Sequence, residues 1–247
     1  MIEFATICLF AILQSIFGIG ILFFGTPTLL LLGFPFAETL SVLLPASLAV
    51  SAFQVMGAGV PKCNQVCIYA IWCLIPLAIA LLSGLALGWE VKLEAVVASI
   101  LLIYVVIRLS PRTETVLCGT VRKLPQVWLV AIGTVHGLSN LGGGLLAIFA
   151  ASRFEEKREV RGNIAFCYMC FAIIQLATLA CLRPDVMQFR QLGYAGLAIV
   201  VFVIVDRLVF GSIVNPVFDK ILTMVIGCYS ALIILKLSGV LQAPAAT

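Results

Sequence analysis

Charge is scarce in this sequence: 11% of its residues are charged, while 63% are hydrophobic and the mean hydropathy is +1.20. Soluble domains carry about 25% charged residues. The shortage excludes a soluble fold, because none hides this much apolar surface, and it makes lipid the solvent. Histidine is almost missing as well. His136 is the single copy, so no histidine cluster offers a metal site. The N-terminal Met1-Ile2-Glu3-Phe4 lacks a basic n-region and runs on into a long apolar stretch, which argues against a cleavable signal peptide. The net charge of +4 is too small to point to nucleic acid, and the basic residues read instead as topology markers. Cysteine is not scarce, but its nine copies are odd in number and scattered through apolar runs, so they form no disulfide framework.

What is present is eight apolar segments, near residues 4–34, 38–57, 65–88, 91–108, 124–151, 163–181, 191–211 and 215–238. Six have a length suited to one crossing of the bilayer, about 20 residues. The first and fifth are longer and broken at their centres. The first holds Gly18-Ile19-Gly20 and then Gly25-Thr26-Pro27; the fifth holds the run from His136 through Ser139 and Asn140 to Gly142-Gly143-Gly144. Gly and Pro clusters disfavour a continuous helix. At an offset of 122 residues Gln14 falls on His136, Gly18 on Asn140 and Gly20 on Gly142. The expected fold class is therefore an all-α polytopic membrane protein of two repeats, residues 1–120 and 121–247. Each repeat is a broken, re-entrant helical hairpin (4–34 and 124–151) followed by three transmembrane helices, the two forming one integrated membrane domain.

Lys and Arg placement separates crossings from re-entrant hairpins. If all eight segments cross, 8 of the 15 basic residues fall on the cytosolic side, which is no bias. If segments 1 and 5 enter and leave on one side, 11 fall together, including the loops 108–123 and 152–162, and 4 fall opposite. The hairpin arrangement restores a positive-inside bias, makes the repeats inverted, and puts both termini outside.

Two hairpins dipping from opposite faces bring two return-helix N-termini together near the midplane, where free N–H groups and the helix dipole attract an anion. Thr26-Pro27 reads as N-cap and first residue of one return helix. Ser139 and Asn140 read as caps for the other, and Gly142, Gly143 and Gly144 allow close backbone approach to a ligand. The candidate substrate-binding residues are Gln14, Gly18, Gly20, Thr26, His136, Ser139, Asn140, Gly142, Gly143 and Asn163. Ser41, Ser47, Ser51, Gln54 and Gln175 lie in the spans after each break, either lining the pathway or bonding across helices. His136 is also the candidate for a coupled proton, since an unperturbed imidazole titrates near 6.5. The bland alternative is a neutral imidazole bonded to a neighbouring carbonyl.

Other features read as structural. Cys167 and Cys170 form a C-x-x-C, but Pro45 and Leu48 occupy the matching positions of the first half. A membrane thiol–disulfide conduit is the alternative they keep open. Ser139 with His136 is the pair a hydrolase would use, and the expectation is that the protein is not an enzyme. Arg153, Lys157, Arg158 and Arg161 interleave with Glu155, Glu156 and Glu159 as a solvated loop, or as a vestibule that draws anions in.

Gly18-Ile-Gly20-Ile-Leu-Phe-Phe-Gly-Thr-Pro27-Thr-Leu29-Leu-Leu-Leu-Gly33 resembles the motif G-x-G-G-G-x-x-x-x-P-x-L-x-x-x-G of the TauE/SafE family of sulfite and organosulfonate exporters, also called the toluene-sulfonate uptake permease family. Ile21 and Leu22 stand where that motif has glycines, while Gly142-Gly143-Gly144 matches it better in the second half, without the proline. The resemblance implies a multi-pass transporter of the prokaryotic plasma membrane that moves small sulfur-containing anions such as sulfite, sulfoacetate or isethionate. No cofactor and no nucleic-acid partner are expected, and a homodimer is left open.

Overall fold

The computed structural model describes residues 1–86 and 111–210, with isolated positions 99, 224 and 235. The segments expected at 91–108 and 215–238 therefore lie outside the described residues. Within them the chain is all-helical: α1 (Ile2–Phe17), α2 (Ile21–Leu31), α3 (Phe36–Ala58), α4 (Cys63–Ala86), α5 (Pro111–Lys123), α6 (Pro125–Ser139), α7 (Gly143–Arg153), α8 (Lys157–Leu182) and α9 (Arg190–Val209). A π-helical turn interrupts α4 at Ala70–Leu74, and another begins in α9 at Asp206.

Both long segments break where their glycines stand. α1 ends at Gly18, whose φ of 76° is left-handed and whose N–H donates to Gln14 O at 2.8 Å. α6 ends at Asn140 with φ 64° and a 2.8 Å bond to His136 O. Gly and Asn are the residues that enter this region at least strain, and such a residue is a common helix terminator. Two residues on, each chain turns back against its own helix. A Cβ at Gly20 would lie 2.4 Å from Phe10 O and from Gln14 N; one at Gly142 would lie 2.6 Å from Ile132 O and 3.0 Å from His136 N. These pairs are all 122 residues apart, so the two breaks are built to one plan, residue for residue.

The return helices do not begin where the sequence suggests: the first starts earlier and the second later. α2 starts at Ile21 with Gly20 as its cap, so Thr26 and Pro27 lie inside the helix rather than at its start. Gly18 and Gly20 have already made the turn, and Pro27 removes one ladder bond. Likewise Ser139 closes α6, Asn140 is its C-cap, and Gly142 precedes α7 with no side-chain cap. The basic stretch 108–123 holds helix α5. The stretch 152–162 is mostly helix too, because α7 runs to Arg153 and α8 starts at Lys157.

Four helices, α3, α4, α8 and α9, are long and apolar enough to cross a membrane. In α3 and α8 61% and 56% of the apolar window is buried, against 28% in α4 and 22% in α9. So α3 and α8 form the centre, packed on each other, with α9 against α3 and α1, and α4 against α6. The outer face of α4 is an apolar stripe of Ile68, Ile71, Trp72, Ile75, Ile79 and Leu82 at helical spacing. α6 approaches α4 through Gly133 and Gly137, where a Cβ would come within 2.1 Å of Cys73 O and 2.4 Å of Leu77 O. Four-residue glycine spacing permits such contact between helices.

Polar contacts tie the ends together. Arg122, before α6, donates to Ser152 O at the end of α7 at 3.3 Å. Glu3 at the start of α1 accepts from Tyr194 Oη at 2.6 Å and lies 3.6 Å from Arg190, both on α9. Arg158 of α8 donates to Gly57 O of α3.

Candidate functional site

The first break is closed by its own side chains. Gln14 is wholly buried, and its Oε1 accepts the Ile21 N–H, the first of α2, at 3.1 Å. Its Nε2 reaches Ser47 O and Oγ at 3.2 Å and Ser51 Oγ at 3.1 Å, both on α3. Gln54 Nε2 donates to Gln14 O at 2.7 Å. The polar residues expected after the break thus hold the break itself.

The second break is closed by packing but left open in hydrogen bonding. His136 is wholly buried, its ring centroid 4.4 Å from Phe171 and 5.4 Å from Tyr168. Neither ring nitrogen has a hydrogen-bond partner among the described residues. Gln175 of α8 faces the imidazole, and its Oε1 also has none among them. Its Nε2 donates to Asn140 Oδ1 at 3.3 Å, and Asn140 Nδ2 donates to Thr26 Oγ1 at 2.8 Å. Tyr168 Oη lies over Gly143: a Cβ there would fall 1.7 Å from it. Beside this group is the first turn of α7, whose N–H groups have no intrahelical acceptor.

Of the expected site residues, the structure gathers Thr26, His136, Asn140, Gly142 and Gly143 at the second break. Gln14, Gly18 and Gly20 form the first. Ser139 turns away: its Oγ donates to Val135 O at 2.7 Å and accepts the Leu141 N–H at 3.3 Å, so it forms no pair with His136. Asn163 stands apart. It is half-buried, accepts from Tyr69 Oη at 3.3 Å and donates to Glu159 O at 2.9 Å, three turns along α8 from Gln175.

Sequence reasoning missed Tyr168, and it misplaced Arg161. The Arg161 guanidinium is buried, not part of a solvated run. It donates to Asp206 Oδ1 at 2.6 Å and to Ser15 O, in the last turn of α1, at 2.9 Å. A Cβ on Gly18 would lie 3.3 Å from the Arg161 stem. Spacing carried the signal: Arg161 stands four residues before Ala165 and seven before Tyr168, both wholly buried on one face of α8. Cys167 is buried, Cys170 is half-buried, and both are free thiols. Among the described residues no group of His, Cys, Asp and Glu is placed to hold a metal ion.

No family model, no curated protein and no solved structure matches the chain. A helix N-terminus, two buried neutral side chains and a tyrosine hydroxyl can hold a small oxyanion without a basic residue.

Proposed function

We propose that the protein is a membrane transporter of small sulfur-containing anions, resembling the TauE/SafE exporters, and that the anion binds at the second break. One observation carries this reading: His136 and Gln175, wholly buried, keep polar atoms without partners among the described residues, beside the first turn of α7. A buried unsatisfied group costs about 1–3 kcal/mol, and such groups cluster at functional sites.

The topology we propose is two inverted repeats whose hairpins dip from opposite faces. The end contacts support it. Arg122 meets Ser152, so α6–α7 begins and ends on one side, the side of Lys157. Glu3 meets Arg190 and Tyr194, near the end of α8, so α1 begins on the other. Each return helix has 11 residues, roughly 16 Å, about half the apolar thickness of a bilayer. All groups of the site are buried, so this is an occluded arrangement, and access follows when hairpin and bundle part. The basic stretches 108–123 and 152–162 then face the cytosol of a prokaryotic cell and both termini face outside.

A thermal-shift screen of the purified protein against sulfite, organosulfonates, sulfate and simple carboxylates tests the site. Stabilisation by sulfonates or sulfite is expected; a response to cations with none to any anion overturns it. Cysteines introduced at residues 2 and 246 test the topology, since both should react with an impermeant thiol reagent from outside.

A further inference from the structure

The 122-residue repeat extends to the helices. α2 (Ile21–Leu31) and α7 (Gly143–Arg153) correspond residue for residue, and α1, α3 and α4 pair with α6, α8 and α9. Each hairpin packs on a helix of the opposite half, α1 on α9 and α6 on α4. The two contacts are made in opposite ways. α6 meets α4 through Gly133 and Gly137, where a Cβ would lie 2.1 Å from Cys73 O and 2.4 Å from Leu77 O. The matching residues of α1 are Ala11 and Ser15, whose Cβ atoms bar the same approach. Polar groups hold α1 to α9 instead. At its start, Glu3 accepts from Tyr194 Oη at 2.6 Å. At its tip, Arg161 of α8 donates to Ser15 O at 2.9 Å and to Asp206 Oδ1 of α9 at 2.6 Å. Thr39 and Gly84 stand at the matching positions of Arg161 and Asp206, so the second hairpin has no such pair.

We propose that the first hairpin is the moving gate of this protein, that the Arg161–Asp206 pair is its latch, and that the second hairpin stays fixed. The proposal rests on the transporter reading and its topology. Arg161 is four residues into α8, about 6 Å from the cytosolic end, and Asp206 is 16 residues along α9, at that same end. The pair therefore stands between the first break and the cytosol. Its cation is firmly seated: Arg158 donates to Gly57 O, and a Cβ on Gly162 would lie 2.7 Å from Ala58 Cβ, so this end of α8 is fixed to α3. Its anion begins the π-helical turn of α9, a geometry frequent at functional sites. When the pair parts, Ser15 O is released and α1 swings on its outer tie to Tyr194. That motion also carries α2, whose Thr26 Oγ1 accepts from Asn140 Nδ2 at 2.8 Å. Withdrawing Thr26 uncovers the second break, while the glycine contacts of α6 have no polar group to release and keep the second hairpin in place.

Ile19 and Leu141 are matching buried residues at the tips of the two hairpins. Ile19→Cys and Leu141→Cys, made in the full-length protein, are labelled with an impermeant maleimide in inside-out and right-side-out vesicles. Peptide mass spectrometry separates them from the nine native cysteines. Asp206→Asn should raise labelling at residue 19 about tenfold or more in inside-out vesicles and leave residue 141 unchanged in both orientations. The Arg161→Met, Asp206→Asn double variant keeps the test alive if the single variant does not fold. It should recover thermal stability yet leave residue 19 reactive, whereas a pair that only stabilises the fold would regain protection together with stability. No rise at residue 19, equal rises at both tips, a rise from the outer face alone, or a stable double variant protected at residue 19 overturns the latch. No ligand enters these readouts. A protein that binds no anion yet opens at residue 19 keeps the gate and loses the anion site; anion binding with residue 19 closed in both variants does the reverse.

Discussion

Asp206→Asn isolates the one buried ion pair seen among the described residues. Arg161 and Asp206 meet at 2.6 Å with side-chain exposures of 9% and 33%, and the same guanidinium nitrogen holds Ser15 O at 2.9 Å. The pair therefore ties α8, α9 and the end of α1 at the first break. Removing the carboxylate strands a buried cation. Losing one partner of a buried pair costs about 3–5 kcal/mol, and the partial exposure of Asp206 lowers the expectation to about 2–3 kcal/mol. At about 2–4 °C per kcal/mol for a chain of this size, the melting temperature should drop by roughly 4–12 °C. Arg161→Met should be harmful alone, because it strands Asp206 and uncaps Ser15. The double variant should recover much of the loss, since an apolar replacement of the whole pair is often near neutral. Differential scanning fluorimetry of the four proteins in one detergent closes the cycle. An Asp206→Asn protein within about 1 °C of wild type, or losses that simply add in the double variant, would refute the pairing as a source of stability.

The breaks themselves give further tests. Gln14→Leu removes bonds to Ile21, Ser47 and Ser51 and should destabilise by about 2–4 kcal/mol, whereas His136→Leu should lose less than about 1 kcal/mol because no hydrogen bond is broken; equal losses in denaturant titrations would contradict the asymmetry. Gly20→Ala and Gly142→Ala force a methyl into backbone atoms and should each lose about 1–3 kcal/mol or more, while Gly57→Ala, which meets nothing within 4 Å, should be neutral or slightly stabilising in the same titrations. In the turn after α8 the hydrogen bond from Arg183 holds the Asp185 carboxyl below its ordinary range. Its contribution is present at neutral pH and lost as pH falls through that lowered value, and because the group is fully exposed, Asp185→Asn should leave the melting curve at pH 7 almost unchanged.

The two breaks were legible in the sequence because their causes are local. A residue that accepts positive φ, followed two positions later by one that tolerates backbone contact, is a short-range pattern, and its repetition at 122 residues fixes the register. The start of α2 was misread for an equally local reason: Thr-Pro favours a helix start, but by Thr26 the chain has already turned. Arg161 was hidden by its neighbours, since a run of mixed charges reads as surface, and only the phase of α8 separates it from Arg158. Tyr168 had no signal at all, because its contact with Gly143 depends on how α8 crosses the second hairpin, a tertiary fact with no spacing to announce it. Asp206 lay near the end of an apolar run; a carboxylate there needs a cation, and Arg161 was the cation to look for.

A helix broken inside an apolar medium exposes first-turn N–H groups that no water can satisfy, so a chain with two such breaks meets the same difficulty twice. It answers them differently. Gln14, with Ser47, Ser51 and Gln54, resolves the first with side chains already present. At the second, the His136 ring nitrogens and Gln175 Oε1 have no hydrogen bond among the described residues, and Tyr168 Oη lies over Gly143. Folding alone does not demand that difference, because the same backbone plan is closed by side chains at the first break of the same molecule. A glutamine at 136 was within reach of evolution and would cost nothing in volume. Keeping buried valences open at about 1–3 kcal/mol each makes physical sense where something outside the chain completes them. The first break is thus the internal control for the second, and the contrast between Gln14 and His136 favours a bound anion at the second.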